Sequence, residues 1–211
     1  LEVVTVTAQA EPVATREPKQ ERSRVTRQAL LEAATTCLAT KGFAASTVAV
    51  IAAEAGISRG AAQHHFPTRE ALLTAALEYM FKVRRQQVRE DAELAVPGGR
   101  KEEFVVGRIV DLYSGPLFKA ALQVWTAAAA DGELRAQILP LERKFARGAH
   151  DMAVQMLNAD DSDPQTHRLI QATLDLARGL GLADVLTDDS VRRAKVAKAW
   201  AQQLTGIKTL D

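Results

Sequence analysis

An all-α chain is the expectation, and three features carry it. Ala, Leu, Glu, Gln and Arg are plentiful while aromatics make up only 5%, a bias toward helix formers and away from strand formers. Long stretches contain neither Gly nor Pro, and no pair of alternating strands around a hairpin turn is visible. Apolar residues recur at helical spacing. With 211 residues, 47% hydrophobic and 25% charged, the chain can bury a substantial core. The single cysteine, Cys37, excludes an intramolecular disulfide framework and cysteine-rich zinc sites. No apolar run approaches the roughly 18 residues of a membrane span, so no membrane partner is expected. Leu1 to Ala10 lacks the basic n-region of a secretory signal, which makes the cytoplasm the expected compartment.

The elements follow in order. Residues 1–22, with Pro12 and Pro18, read as a flexible extension, and a helix is expected from Ser23 to Gly42 through Ala29/Leu30, Ala33/Ala34 and Cys37/Leu38. Val48, Ile51, Ala52 and Ala55 form one face of a short helix, opened by Ser46 or Thr47 and closed by Gly56. Ser58 caps a second short helix running to about His65, where Phe66-Pro67 stops it. A long helix begins at Thr68 and ends before Pro97-Gly98-Gly99. Helix after helix follows, with breaks at Ser114-Gly115-Pro116, near Asp131-Gly132, at Asn158 to Pro164 and around Thr187 to Ser190. Leu134, Ile138, Leu141, Phe145, Met152 and Met156 mark a long amphipathic helix in which Pro140 is expected to bend or offset the start. Two last helices are expected at about 165–186 and 189–205. The organisation is then an extension at 1–22, a small helical unit at 23–68 and a larger helical bundle at 69–211.

The segment from Ser46 to His65 has the layout of a helix-turn-helix: two short helices, a tight turn at Gly56, and small Ala52/Ala53 that permit close crossing. In that motif the second helix enters the major groove of duplex DNA with its N-terminal residues toward base edges. Here those residues are Ser58, Arg59, Gly60, Ala61, Gln63 and His64. Arg59 can fork onto guanine O6/N7 or a phosphate, Gln63 can pair with adenine N6/N7, and Gly60 and Ala61 let the backbone come close. Thr47 is placed for a phosphate, as is His64, and Arg69 completes the candidate DNA-binding set.

The runs Thr26 to Ala34, Lys41-Gly42-Phe43, Ser46-Thr47-Val48 through Ile51-Ala52, Ala55 to Gly60 and His64 to Leu72 resemble the N-terminal domain of the TetR family of transcriptional regulators. The resemblance covers about residues 24–73. It implies an all-helical homodimer with an N-terminal three-helix DNA-binding domain and a larger C-terminal domain for ligand binding and dimerisation. A small molecule bound there releases a repressor of this family from a palindromic operator; an activator is the alternative within the class. Three positions depart from the family pattern: Ala61 and Gln63 stand where Thr and Tyr are common, and Ala49 where Arg is common. Two customary phosphate contacts are thereby absent, and Gln63 offers an amide for base reading instead.

The resemblance also implies an effector cavity beside the long helix from Thr68. Met80, Phe104, Leu112, Tyr113, Phe118, Leu122, Trp125, Phe145 and Met152 are candidate lining, with His150 as a polar contact, although each apolar residue reads equally as plain core. Leu169, Thr173, Ala177, Leu180, Ala197, Trp200 and Leu204 on the last two helices suit an isologous interface between two copies.

Other features have plainer readings. His64 and His65 point about 100° apart on a helix and do not converge on a metal. Neither a metal nor a cofactor is expected. Cys37 reads as a buried small hydrophobe, and Gly179/Gly181 as close helix packing rather than a nucleotide fingerprint. Arg16, Lys19, Arg22 and Arg24 read equally as a DNA-reaching arm or a solvated tail, since Glu17 and Glu21 interleave. An enzyme would need converging catalytic groups that this pattern lacks; a helical adaptor for protein partners shares the apolar helix faces. The net charge of +1 conceals a split: Arg16 to Arg69 carries eight Lys/Arg and four Glu, a local +4.

Overall fold

The computed structural model describes residues 17–93 and 101–210. Nine α-helices follow one another among them: α1 (Glu17–Ala45), α2 (Val48–Glu54), α3 (Arg59–His65), α4 (Arg69–Glu93), α5 (Lys101–Leu112), α6 (Gly115–Ala130), α7 (Gly132–Leu157), α8 (Pro164–Ala183) and α9 (Ser190–Ala201), with a closing 3₁₀ turn at Gln202–Gly206. The helix starts are set by side chains that accept orphan backbone N–H groups. Thr47 Oγ1 accepts from Val50 N at 3.3 Å and Ser58 Oγ from Ala61 N at 3.2 Å. Asp131 Oδ1 takes Glu133 N and Leu134 N, each at 3.0 Å, and Asp163 Oδ2 takes Thr166 N at 2.8 Å.

Two apolar cores hold the helices together. The first gathers Leu30, Leu38, Ile51, Ala62, Leu72, Leu77, Ala120 and Val124, so α1 to α4 share one interior with α6 and the start of α7. The second joins α5, the far half of α7, α8, α9 and the closing turn through Ile109, Ala153, Ile170, Ala177, Ala197 and Leu204. The small N-terminal unit therefore does not end its packing at residue 68. Its core continues along α4 to Met80.

Three element boundaries differ from expectation. Residues 17–22, expected in the flexible extension, are helical: Pro18 falls in the first turn, where its missing N–H costs nothing, and the following Lys, Gln, Glu and Arg are good helix formers. Gly42 interrupts α1 at φ 79°, ψ 174°, and the chain continues in helix to Ala45 beyond this kink. The last predicted helix ends in the tighter 3₁₀ turn. α7 runs through Pro140 on its exposed side. The expected stop at Pro97-Gly98-Gly99, and Arg16 of the candidate arm, lie outside the described residues. Arg24, on α1, pairs with Glu21 at 2.7 Å.

Gly181 is where α8 comes closest to its neighbours. A Cβ there would lie 1.8 Å from the Tyr113 carbonyl oxygen, so no larger residue fits. Gly179, by contrast, is exposed with nothing near its missing Cβ.

Candidate nucleic-acid interface and inner cavity

The turn between α2 and α3 is built locally. Gly56 takes a left-handed conformation at φ 66°, its N–H donates to Ala53 O at 3.1 Å, and Ile57 N–H reaches Ala52 O at 2.9 Å. This is a Schellman closure, which satisfies the last carbonyls of α2 and turns the chain sharply into Ser58. Ile51, Ala52 and Ala62 are buried where the two short helices cross. Lys41 Nζ bonds Glu54 Oε2 at 2.7 Å and fastens α2 to α1.

With Ala62 buried, the opposite side of α3 is left outward. Arg59, Gly60, Gln63 and His64 are exposed together with Ser58 and Thr47, and Ala61 is half-buried beside them. Ser58 and Thr47 spend an oxygen lone pair on capping while each hydroxyl proton stays available to an acceptor. The exposed set thus offers a guanidinium, a primary amide and an imidazole along one ridge of α3, with hydroxyls at the starts of α2 and α3. His64 and His65 lie edge to face with ring centroids 5.7 Å apart, and His65 is half-buried.

Arg69 does not join this ridge. Its Nε donates to Ser46 O at 3.0 Å, its Nη2 to Phe43 O, and its guanidinium lies 4.2 Å from the centre of the Phe43 ring. The correction has a simple cause: the carbonyls released at the α1–α2 junction need donors, and Arg69 is the cation within reach. It ties the first residue of α4 to the reading head.

Further along α4, a cavity of about 250 Å³ opens between α4, α5 and α7. Phe81, Leu112, Leu141, Phe145, Ala149 and Met152 give it an apolar body, and Glu78, Lys82, Arg85 and Lys144 stand around it. Phe81 and Phe145 stack at 4.2 Å. A smaller void of about 20 Å³ adjoins, lined by Met80, Phe81, Leu112, Phe118, Trp125 and Phe145 among others. Tyr113 is fully buried and meets the rings of Phe118 and Phe145 edge-on, each at 5.8 Å. Among the described residues, Trp125 Nε1 is buried without a hydrogen-bond partner.

Of the sequence-predicted lining, Leu112, Phe145 and Met152 reach the larger cavity and Met80, Phe118 and Trp125 the smaller. Phe104, Tyr113 and Leu122 line neither, Tyr113 being packed in the core, and His150 instead bonds Asp161 Oδ1 at 2.9 Å. The missed residues obey a visible rule. Glu78, Phe81, Lys82 and Arg85 follow i, i+3, i+4, i+7 on α4, but three of them are charged and drop out of a search for apolar stripes.

The residues expected at a dimer interface are corrected as well. Thr173, Ala177, Leu180, Ala197 and Leu204 are buried in the protomer's own second core. Trp200 Nε1 donates to Thr173 Oγ1 at 2.9 Å, and Leu169 packs on the same core. The strongest apolar stripe of each helix faces inward because α5 and α7 already cover it. The large apolar side chains left exposed at the α8–α9 corner are Leu182, Leu186 and Val191, at 57%, 92% and 69% exposure.

Burial comes first in setting the state of Cys37: it pushes the thiol above its ordinary range against the opposing pull of Lys41, leaving a protonated core residue. No helix of the described residues is long and apolar enough to cross a membrane.

Comparison with known proteins agrees with this arrangement. Residues 30–76 match the family described as bacterial regulatory proteins, tetR family. The HTH-type transcriptional regulator CymR of Pseudomonas putida is 27% identical over 190 residues, which cover 86% of this chain and 90% of CymR. A structure of a TetR-family regulator from Rhodococcus sp. superposes with a TM-score of 0.64 at 21% identity, covering 85% of this chain and 98% of that one. A transcriptional regulator from Saccharomonospora viridis, solved in complex with choline, gives a TM-score of 0.63 at 20% identity, covering 86% and 96%.

Proposed function

The chain belongs to the tetR family of bacterial regulatory proteins, DNA-binding proteins rather than enzymes, and from that premise we propose that it is a ligand-released repressor acting as a homodimer on a pseudo-palindromic operator. The observation that carries the reading is the ridge of α3: Arg59, Gly60, Gln63 and His64 outward, with Ala62 anchoring the helix from behind. Arg59 and Gln63 read base edges, while Thr47, Ser58 and His64 bond phosphates. One seven-residue helix reaches few base pairs, so specificity needs two copies about 34–36 Å apart. The exposed Leu182, Leu186 and Val191 supply the apolar part of the surface that joins the copies. An operator occupied across a promoter is repressed without any further contact.

Release runs through α4. Its first residue, Arg69, holds the α1–α2 junction, and its middle turns line the cavity. Arg84 anchors the same helix by donating to the carbonyls of Asp111 and Ser114. A molecule entering between Phe81 and Phe145 displaces α4 against these anchors and alters the separation of the two α3 helices. It loosens DNA only as far as it prefers the displaced state. Three cations and one carboxylate around an apolar body favour an apolar effector that carries an anionic group.

Nuclease protection of the DNA flanking the gene tests the reading. A protected, pseudo-palindromic segment is expected. Uniform cutting at every protein concentration, from a folded protein, contradicts it.

A further inference from the structure

We infer that His150, Asp161 and His167 form a binding site for a divalent transition-metal cation of the Zn²⁺ class, separate from both the DNA ridge and the cavity. The three side chains come from three segments: the last turns of α7, the connecting loop and the first turn of α8. His150 Nε2 lies 2.9 Å and His167 Nδ1 3.0 Å from the same oxygen, Asp161 Oδ1, and all three donor atoms fall within 4.8 Å of one another. Zinc bonds of about 2.0–2.1 Å in a tetrahedron place ligand atoms about 3.3 Å apart. The two His–Asp separations accept an ion after opening by a few tenths of an ångström, and the two histidine nitrogens, within 4.8 Å of each other, adjust toward the same spacing.

The donor chemistry fits that class of ion. Two imidazole nitrogens and a carboxylate oxygen suit borderline divalent metals rather than Ca²⁺ or Mg²⁺, which take mostly oxygen. A metal takes the lone pair of the ring nitrogen that faces Asp161 in each histidine, so binding releases or relocates the proton that nitrogen carries. Side-chain exposures of 15% for His150, 38% for Asp161 and 40% for His167 leave an approach for the ion and an open fourth position for water.

The scaffold holds the trio in register. Asn158 ends α7 in a left-handed conformation, Asp160 N donates to Lys208 O at 2.8 Å, and Asp163 caps α8. His150 lies about 160° around α7 from the cavity residues Gly148 and Met152. A bound ion therefore clamps α7 to α8 from the side opposite the effector, as a staple between the helix that senses and the helix next to the exposed α8–α9 corner.

The test titrates ZnCl₂ into the full, metal-stripped protein, prepared without a histidine tag, by isothermal titration calorimetry. One saturable equivalent and a raised melting temperature are expected. His167→Ala and Asp161→Asn, checked for retained helicity by circular dichroism, each weaken binding by at least about ten-fold, the scale of loss found even for changes outside the ligand shell. A His64→Ala/His65→Ala double variant keeps it. Co²⁺ in place of Zn²⁺ gives a visible ligand-field band in the wild type that His167→Ala loses. Absence of saturable binding overturns the proposal, as does binding that survives in His167→Ala and vanishes in the His64/His65 variant.

Discussion

Gly179 and Gly181 sit two residues apart on α8 and carry opposite expectations. Gly179 faces open space, so Gly179→Ala stabilises by about 0.5–1 kcal/mol through the helix preference of alanine. At Gly181 the added methyl meets the Tyr113 carbonyl oxygen at 1.8 Å and Phe118 Cε1 at 3.0 Å, so Gly181→Ala loses about 1–3 kcal/mol or more. Urea unfolding of the two variants checks the pair; equal midpoints contradict the close approach of α8 to α5 and α6. Arg69 makes a second test at this scale. Arg69→Gln removes charged donors from the Phe43 and Ser46 carbonyls and costs about 1–3 kcal/mol. Since Arg69 bonds protein rather than phosphate, the salt dependence of DNA binding keeps its slope in this variant. A slope smaller in magnitude by about one per Arg69 lost places the side chain on the DNA instead.

Among the elements, those whose causes are local were legible in advance. Thr47, Ser58 and Gly56 dictate where α2 and α3 begin and turn, and the caps stand within three residues of what they cap. Pro18 misled because a proline in the first helical turn looks, in sequence, like one that ends a segment. The partners of each apolar stripe were not legible. Thr173, Ala177 and Leu180 form a clean stripe, yet nothing within α8 tells whether α5 or a second copy of the chain covers it. Arg69 hid for the same reason, its carbonyl partners lying 23 and 26 residues away. His150, Asp161 and His167 are separated by ten and five residues, a spacing without a local signature, and only the turn between α7 and α8 brings them together.

For the whole molecule, the net charge of +1 divides into a mildly basic head, +4 from Arg16 to Arg69, and −3 elsewhere. So small a surplus gives weak nonspecific attraction, and in the proposed dimer tight binding draws on two heads acting together. Leu182→Asp with Val191→Asp, two changes on exposed side chains, leaves the protomer folded and yields a monomer in sedimentation velocity. That monomer loses operator binding because a single head spans half a site. A dimer that persists in this variant moves the interface elsewhere.

Arg59 is the side chain on which the account turns. Fluorescence anisotropy with an operator duplex, taken from the protected region and read against Arg59→Ala, measures it directly. The variant is expected to stay folded and dimeric while losing about 1–3 kcal/mol of binding for each recognition helix, the scale of one bidentate contact. Undiminished affinity in Arg59→Ala contradicts the assignment of α3 as the helix that reads DNA.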